Sequence, residues 1–544
     1  MKKIVIYLCA AFAFNVAAVA QTLDPTVEVS REYEGKLIEV HKPYMDMAVP
    51  DSLHNFDLGF DYSVFENPYK GSYEFNPYMV QMRPAPSGND KNVFYLNAGA
   101  GYTLHPTLDI LWSPMKKGAF SVDAYGIYRS YIGTYRGLWQ DDWSGYDMSS
   151  KAGVDLGYDW EKLAVDFGVS YNGIHDKDYR RTRGYNSVEA YAALKSKSSM
   201  SRSFMYDVSA LYRFIDDACT VPTSGVLSGH EFALDSRIGP TFISVGNLVF
   251  DLGLEVDSYS NVSDATMSRF YLVPRYLYEK GIMKLNAGLR ISGVVASENV
   301  PVTRGQVVYP DVRADFFLVP DAMKLYLHIG GGEKLNRYSS LIADNHHLDL
   351  SYGVSGRLLD VSVERVSAVL GLEGRISSCF SYNFRGGYVN YKNTLFDVAY
   401  TDGSGVYIPG VGYAACQKSF VALDWNLDIS PVRFFGALES TRAWGIADPA
   451  MIGPALLKGD MTAEYSWIKR LNAGLDCEFS LSRASSAGFV VPGYADLGIF
   501  AEYAMNRKLS FWLRGGNLLN MEIQRNLLYA EKGINFTAGI CLTL

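Results

Sequence analysis

The chain is poor in cysteine, histidine, charge and long apolar runs, and each shortage removes a class of function. Outside the first twenty residues the cysteines are Cys219, Cys379, Cys416, Cys477 and Cys541. An odd number without CxxC spacing suggests neither a disulfide framework nor a zinc site. Cys477 shares a strand face with apolar residues and behaves as a small hydrophobe, while Cys541 sits among Thr and Gly as another small residue. Eight scattered histidines assemble no nucleophile, base and orienter, so no enzyme activity, catalytic residue or cofactor is expected. Charged residues make up only 20% of the chain, and none of the basic ones cluster. With a formal net charge of −8, or −10 without Lys2 and Lys3, nucleic acid is an unsuitable partner. Beyond the start of the chain no apolar stretch reaches the roughly 18–20 residues of a spanning helix. That excludes a helical membrane protein but not a barrel, whose signal lies in alternation.

What the chain does have is aromatic and small residues: 14% Phe, Trp and Tyr, with 39 Tyr, and 50 Gly. This composition favours many strands over disorder. Its first twenty residues, MKKIVIYLCAAFAFNVAAVA, run from two lysines through an apolar stretch to Ala18-Val19-Ala20. That is the layout of a secretory signal with an A-x-A cleavage site. Cys9 lies too early, behind Tyr7-Leu8, to serve as a lipid-attachment cysteine.

The dominant pattern has period two. In NLVFDLGLEVD (247–257), Leu248, Phe250, Leu252, Leu254 and Val256 oppose Asn247, Val249, Asp251, Gly253, Glu255 and Asp257. The same alternation recurs in KLAVDFGVSY (162–171), MKLNAGLRIS (283–292), VALDWNLD (421–428) and LNAGLDCEFSLS (471–482). Apolar faces end in Tyr, Trp or Phe, and strands of about 9–12 residues suit a tilted crossing of a bilayer. Ten tight turns separate strand pairs, at 113–118, 159–162, 200–203, 244–247, 278–281, 319–322, 377–378, 430–431, 468–470 and 505–508. Alternating with them are longer connections, including 134–146, 215–229, 294–307, 331–362, 391–415 and 516–533. Short turns on one side and long loops on the other are the habit of outer-membrane barrels. The fold expected is all-β: one closed antiparallel transmembrane barrel over 92–544, with about 22 strands (18–22) and both termini periplasmic.

The chain closes on EKGINFTAGICLTL. This resembles the carboxy-terminal assembly signal of outer-membrane barrels, with Thr537, Gly539, Leu542 and Leu544 at the matching positions and the usual terminal aromatic missing. Upstream, KLSFWLRGGNLLNMEIQ (508–524) resembles the penultimate region of TonB-dependent receptors, where a strand enters an N-L-[LF]-[ND] turn, here Asn517, Leu518, Leu519 and Asn520. The resemblance implies solute or nutrient transport across the outer membrane. Its partners would be outer-membrane lipid and the barrel assembly machinery.

One departure from that family bears on function. The receptors carry a plug domain of well over a hundred residues, whereas only residues 21–91 precede the first barrel strand here, with seven prolines among them. Thr26, Val27 and Val29 match the receptors' energy-coupling box only faintly. Residues 56–86 carry Phe56, Phe60, Tyr62, Phe65, Tyr69, Tyr73, Phe75 and Tyr78 between prolines. They read as an extended segment ordered by the lumen or by a protein partner. An accessory or scaffold barrel of an outer-membrane complex is therefore the alternative function. A barrel of this size is expected to be filled, by that segment, by a partner or by long loops such as 331–362 and 391–415.

By strand phase the lumen is expected to be lined by Asp251, Glu255, Asp257, Lys284, Arg290, Glu373, Arg375, Arg385, Asp424, Asp476, Glu478 and Arg514. Such groups select a solute or simply hydrate and pair inside the barrel. A cation at 251 should be tolerated, whereas one at 252 should not. DNHHLD (344–349) offers Asp344, His346, His347 and Asp349. Adjacent histidines point opposite ways on a strand, so this segment is read as a solvated loop and no metal site is assigned.

Overall fold

In the computed structural model the described residues are 94–544, apart from 103, 118, 139–140, 180, 198–203, 221–224, 241–245, 261–264, 298–301, 321, 349–358, 402–406 and 468–469. The expected signal sequence, the coupling-box positions and the aromatic segment 56–86 lie outside them.

Twenty-two antiparallel strands close into one barrel. They are β1 (Phe94–Tyr102), β2 (Thr107–Lys117), β3 (Phe120–Tyr135), β4 (Trp143–Asp159), β5 (Leu163–Lys177), β6 (Thr182–Ser196), β7 (Met205–Thr220) and β8 (Gly225–Gly239). Next come β9 (Gly246–Ser260), β10 (Ala265–Lys280), β11 (Met283–Ala296), β12 (Val308–Val319), β13 (Met323–Leu335), β14 (Val361–Ile376) and β15 (Phe380–Thr401). The circuit ends with β16 (Tyr407–Ile429), β17 (Val432–Trp444), β18 (Leu457–Trp467), β19 (Leu471–Ser480), β20 (Tyr494–Ala504), β21 (Leu509–Gly516) and β22 (Asn535–Thr543). Each strand pairs with its neighbour in sequence, and β22 pairs back with β1, Leu542 opposite Leu96 and Gly539 opposite Gly99. Closure leaves no strand edge unpaired, a condition for spanning a bilayer with β-structure.

Alternation sets which side meets lipid. On β9, Leu248, Phe250, Leu252 and Leu254 are exposed, while Val249, Asp251 and Gly253 between them are buried. Exposed aromatics gather beside the tight turns, among them Tyr158 and Trp160, Tyr276, Tyr465 and Trp467, and Tyr503. This is one interfacial girdle, where amphipathic rings match the headgroup level.

The closing seam explains the C-terminal residues individually. Trp512 lies between Gly99 and Gly539, where a Cβ on either glycine would collide with the indole ring. Its Nε1 donates to Asn97 Oδ1 at 2.6 Å. Thr537 Oγ1 meets His105 Nε2. Leu542 sits opposite both Leu96 and Leu509, and Leu544 exchanges backbone hydrogen bonds of 2.8 and 3.0 Å with Phe94.

Among the described residues most tight turns fall within a few positions of where the sequence placed them, although β2 runs through most of 113–118. The turn at 200–203 lies outside the described residues. Several expected loops do not fall as placed. Most of 215–229 and 391–415, and both ends of 134–146, are strand, because β3, β4, β7, β8, β15 and β16 continue past the apolar band. Strands consequently reach 22 and 23 residues in β15 and β16. Up there the alternation fades. Val398, Ile408 and Val411 are buried against other segments instead of facing lipid, so the two-faced signature that marks a membrane strand is absent. The segment expected as loop 331–362 starts at 336 and contains a short helix, α1 (Tyr338–Asp344).

Candidate functional site

The interior is built from charges that pair across strands. Arg237 and Arg275 both bind Asp251, and Arg275 also donates to Asp311 Oδ2 at 2.8 Å. Arg290 reaches the same Asp311 at 3.4 Å. Arg269 holds Glu255 at 2.8 Å, and Arg337 lies 3.3 Å from Asp257. Across the barrel, Lys324 pairs with Glu373 at 2.7 Å, Arg385 with Asp424, and Arg525 with Glu478 at 2.7 Å. Arg514 stacks over Trp512, and Asp476 packs against Gly498. Two residues of the expected lining stand apart. Lys284 is half-exposed near a tight turn, 4.0 Å from Glu279, and Arg375 is exposed beside another. At a strand end phase no longer separates inside from outside.

Above this ladder, α1 lies against the inner face of β6 to β10. Tyr338 packs on Tyr185 and Tyr259, and with Leu341 and Ile342 it enters a cluster containing Ile215, Leu227 and Met267. Polar anchors fix its orientation. The Tyr338 hydroxyl donates to Asp217, Ser339 Oγ donates to Glu231 at 2.6 Å, and Arg213 joins Glu189 to Glu231. Among these residues burial with paired charge makes each partner costly to remove.

A second segment meets the turn that follows α1. Residues 517–534, between β21 and β22, bury Ile523, Leu527, Leu528 and Tyr529. Asn517 organises their start, its Oδ1 accepting from Met521 N at 2.9 Å and its Nδ2 donating to Met521 O at 2.8 Å. Ile452, Tyr407 and Phe489 pack with this segment. The two infolded segments touch at His347, whose ring stacks on Tyr529 with centroids 3.7 Å apart and planes 8° from parallel.

The contact is a charged junction. Arg181, in the short connection after β5, donates to Asp178 Oδ2 at 3.1 Å, to Leu348 O at 2.9 Å and to His346 O at 3.0 Å. Arg183 also donates to His346 O and lies 3.2 Å from Asp217. His346 Nε2 is 3.1 Å from Asp147 Oδ2, and the Tyr529 hydroxyl donates to Asp178 Oδ2 at 2.6 Å. Burial disfavours the His346 cation, but Asp147 outweighs it and raises the imidazole above its ordinary value. His347 goes the other way, held well below by burial, by His346 and by Arg181. Burial, with Asp178, raises the Tyr529 phenol.

The solvated-loop reading of 344–349 is therefore corrected. His346 and His347 occupy a turn after α1, not a strand, so their rings lie side by side with centroids 4.1 Å apart. His347 is buried. With Asp176 they place possible ligand atoms within 4.8 Å of one another. Sequence reasoning missed Asp176, Asp178, Arg181 and Arg183. The signal was present in HDKDYRRTR (175–183), too dense in charge for a connection that merely reverses the chain.

No family model and no curated protein matches this sequence. Solved structures do. The copper transporter OprC superposes with a TM-score of 0.63 at 11% identity, over 83% of this chain and 80% of that one. The ferric-catecholate import receptor Fiu of E. coli K12, in a closed form, gives 0.63 at 9% identity over 84% and 82%. The FrpB iron transporter of Neisseria meningitidis gives 0.64 at 10% identity over 84% and 82%. At such identities the likeness establishes a shared barrel fold, that of TonB-dependent receptors.

Proposed function

We propose that this protein is an outer-membrane barrel that admits a small polar or charged solute, with its mouth held closed by its own infolded segments. The observation that carries this reading is the infolded mouth: α1 lies against the inner wall, and the turn after it meets residues 517–534 over a lumen lined by paired charges. A purely structural barrel has no need of a wide hydrated interior sealed by polar latches. Similar barrels named as copper and iron transporters support the same reading. On this proposal the loop end faces outside, both termini are periplasmic, and the paired lining from Asp251 to Arg514 screens the solute. Thr537, Gly539, Leu542 and Leu544 engage the assembly machinery.

The alternative, an accessory subunit docked through residues 21–91, is favoured by the aromatic, proline-punctuated composition of that segment. Planar bilayers and loaded liposomes separate the two. Transport predicts a low-conductance protein that becomes a large pore when 336–348 is replaced by a short Gly-Ser linker. If conductance stays unchanged and a stoichiometric partner is lost on deleting 56–86, the accessory reading stands instead.

A further inference from the structure

The junction holds more acid than its bases neutralise. Asp147, Asp176, Asp178 and Asp217 face the two guanidinium groups of Arg181 and Arg183. Lys532 and Glu531 lie near Asp147 and offset each other. Among the described residues these four carboxylates outnumber the two guanidinium groups.

One atom marks where further positive charge belongs. Asp176 is buried, and among the described residues its Oδ1 has no hydrogen-bond partner. An unpartnered carboxylate oxygen in such a place is costly unless something satisfies it. Its other oxygen has only weak claims on it. Arg181 Nη2 stands 3.3 Å away and His347 Nδ1 3.7 Å away. Arg181 spends its shorter bonds on Asp178 and on the carbonyls of His346 and Leu348. It reaches His347 Nδ1 at only 3.4 Å. It could thus release Asp176 and His347 and keep its principal partners.

We propose that Asp176, His346 and His347 form a binding site for a first-row divalent metal ion of the zinc, copper and nickel kind. Two imidazoles and one carboxylate are the donors such ions prefer, and magnesium and calcium prefer all-oxygen shells. Ligand atoms now within 4.8 Å need to close to ~3.4 Å, the spacing set by bonds of about 2.1 Å in a tetrahedral shell. A small shift of the turn 345–348 supplies that. Asp147 on His346 Nε2 leaves Nδ1 to the metal and orients the ring, as carboxylates behind metal-bound histidines do. Three protein ligands leave one position open, to water or to a donor carried by a solute. The site would tie α1 to the end of β5 whether or not the barrel transports anything.

The test uses full-length protein in detergent micelles, where binding is read independently of transport. Titration with zinc chloride should show one bound ion per chain, and magnesium should not compete. His346→Gln and His347→Gln should each weaken zinc by more than about tenfold, and the double variant should abolish it. His328→Gln, altering a histidine beside Asp311, should leave it unchanged. Cobalt(II) provides a second readout on the wild-type chain, in case the variants fail to fold. Intense visible bands of a tetrahedral nitrogen-ligated ion are expected. Zinc binding no tighter than millimolar, full binding by the folded double variant, or only the weak spectrum of hydrated cobalt would overturn the site.

Discussion

At one end of this barrel the chain reverses in short turns, as few as two residues at Gly281-Ile282 between β10 and β11 and at Ser430-Pro431 between β16 and β17. At the other end strands overrun the apolar band, a helix folds inward, and residues 517–534 cross to meet the turn after it. The turn end uses local backbone geometry and can be altered one hairpin at a time. The loop end is held by contacts between residues more than a hundred positions apart, such as Arg213 with Ser339 and Tyr529 with Asp178. Stability of the barrel and closure of its mouth should therefore be separable.

The largest effect expected is on the barrel alone. Deleting Leu542 to Leu544 removes the partners of Leu96, Leu509 and Phe94 and opens a seam in lipid, where unpaired backbone is intolerable. Heat-modifiable, membrane-inserted protein should disappear, and insertion at normal yield would show that closure does not depend on these residues. Next comes the loop end. Tyr338→Ala with Leu341→Ala empties the core under α1, at about 2–5 kcal/mol per site. Because that core belongs to the infolded segment, the barrel should stay heat-modifiable while single-channel conductance rises. Loss of the barrel itself would mean the two ends are not separable.

A smaller contrast concerns the wall. Leu252→Arg places a cation on the lipid face and should cost roughly 2–4 kcal/mol, read as a lower heat-modifiability midpoint. The tolerance expected for Asp251→Arg no longer holds, since Asp251 binds both Arg237 and Arg275. A third cation among them should cost about 1–3 kcal/mol, moderated by lumenal water.

That revision shows what the sequence could and could not convey. Strand phase and tight turns depend on neighbours one or two positions away, so most of the described turns and the strand number were legible. Which charge meets which depends on strand register, which alternation does not encode. The infolded helix was illegible for the same reason. Tyr338, Leu341 and Ile342 look like ordinary loop residues until β7 and β9 are brought beneath them. His346 and His347 were noticed, but a strand geometry was assumed where the chain makes a turn.

The smallest expected effect lies in the turns and tests whether they act by backbone geometry alone. Gly281 has φ +60°, and a Cβ built there meets nothing within 4 Å. Gly281→Ala therefore adds no clash and costs only the left-handed penalty of an L-residue, about 1–2 kcal/mol. Ser377, in the turn between β14 and β15, already bears that penalty at φ 58°. Its Oγ lies 2.8 Å from Cys379 Sγ and accepts from Cys379 N at 3.5 Å, one contact to a weakly hydrogen-bonding sulfur and one long, which together offset little of the penalty. Ser377→Gly should therefore raise the midpoint slightly while Gly281→Ala lowers it, with conductance unchanged in both. A change in conductance from either substitution would mean that the turn end communicates with the mouth, and the separation of the two ends would fail.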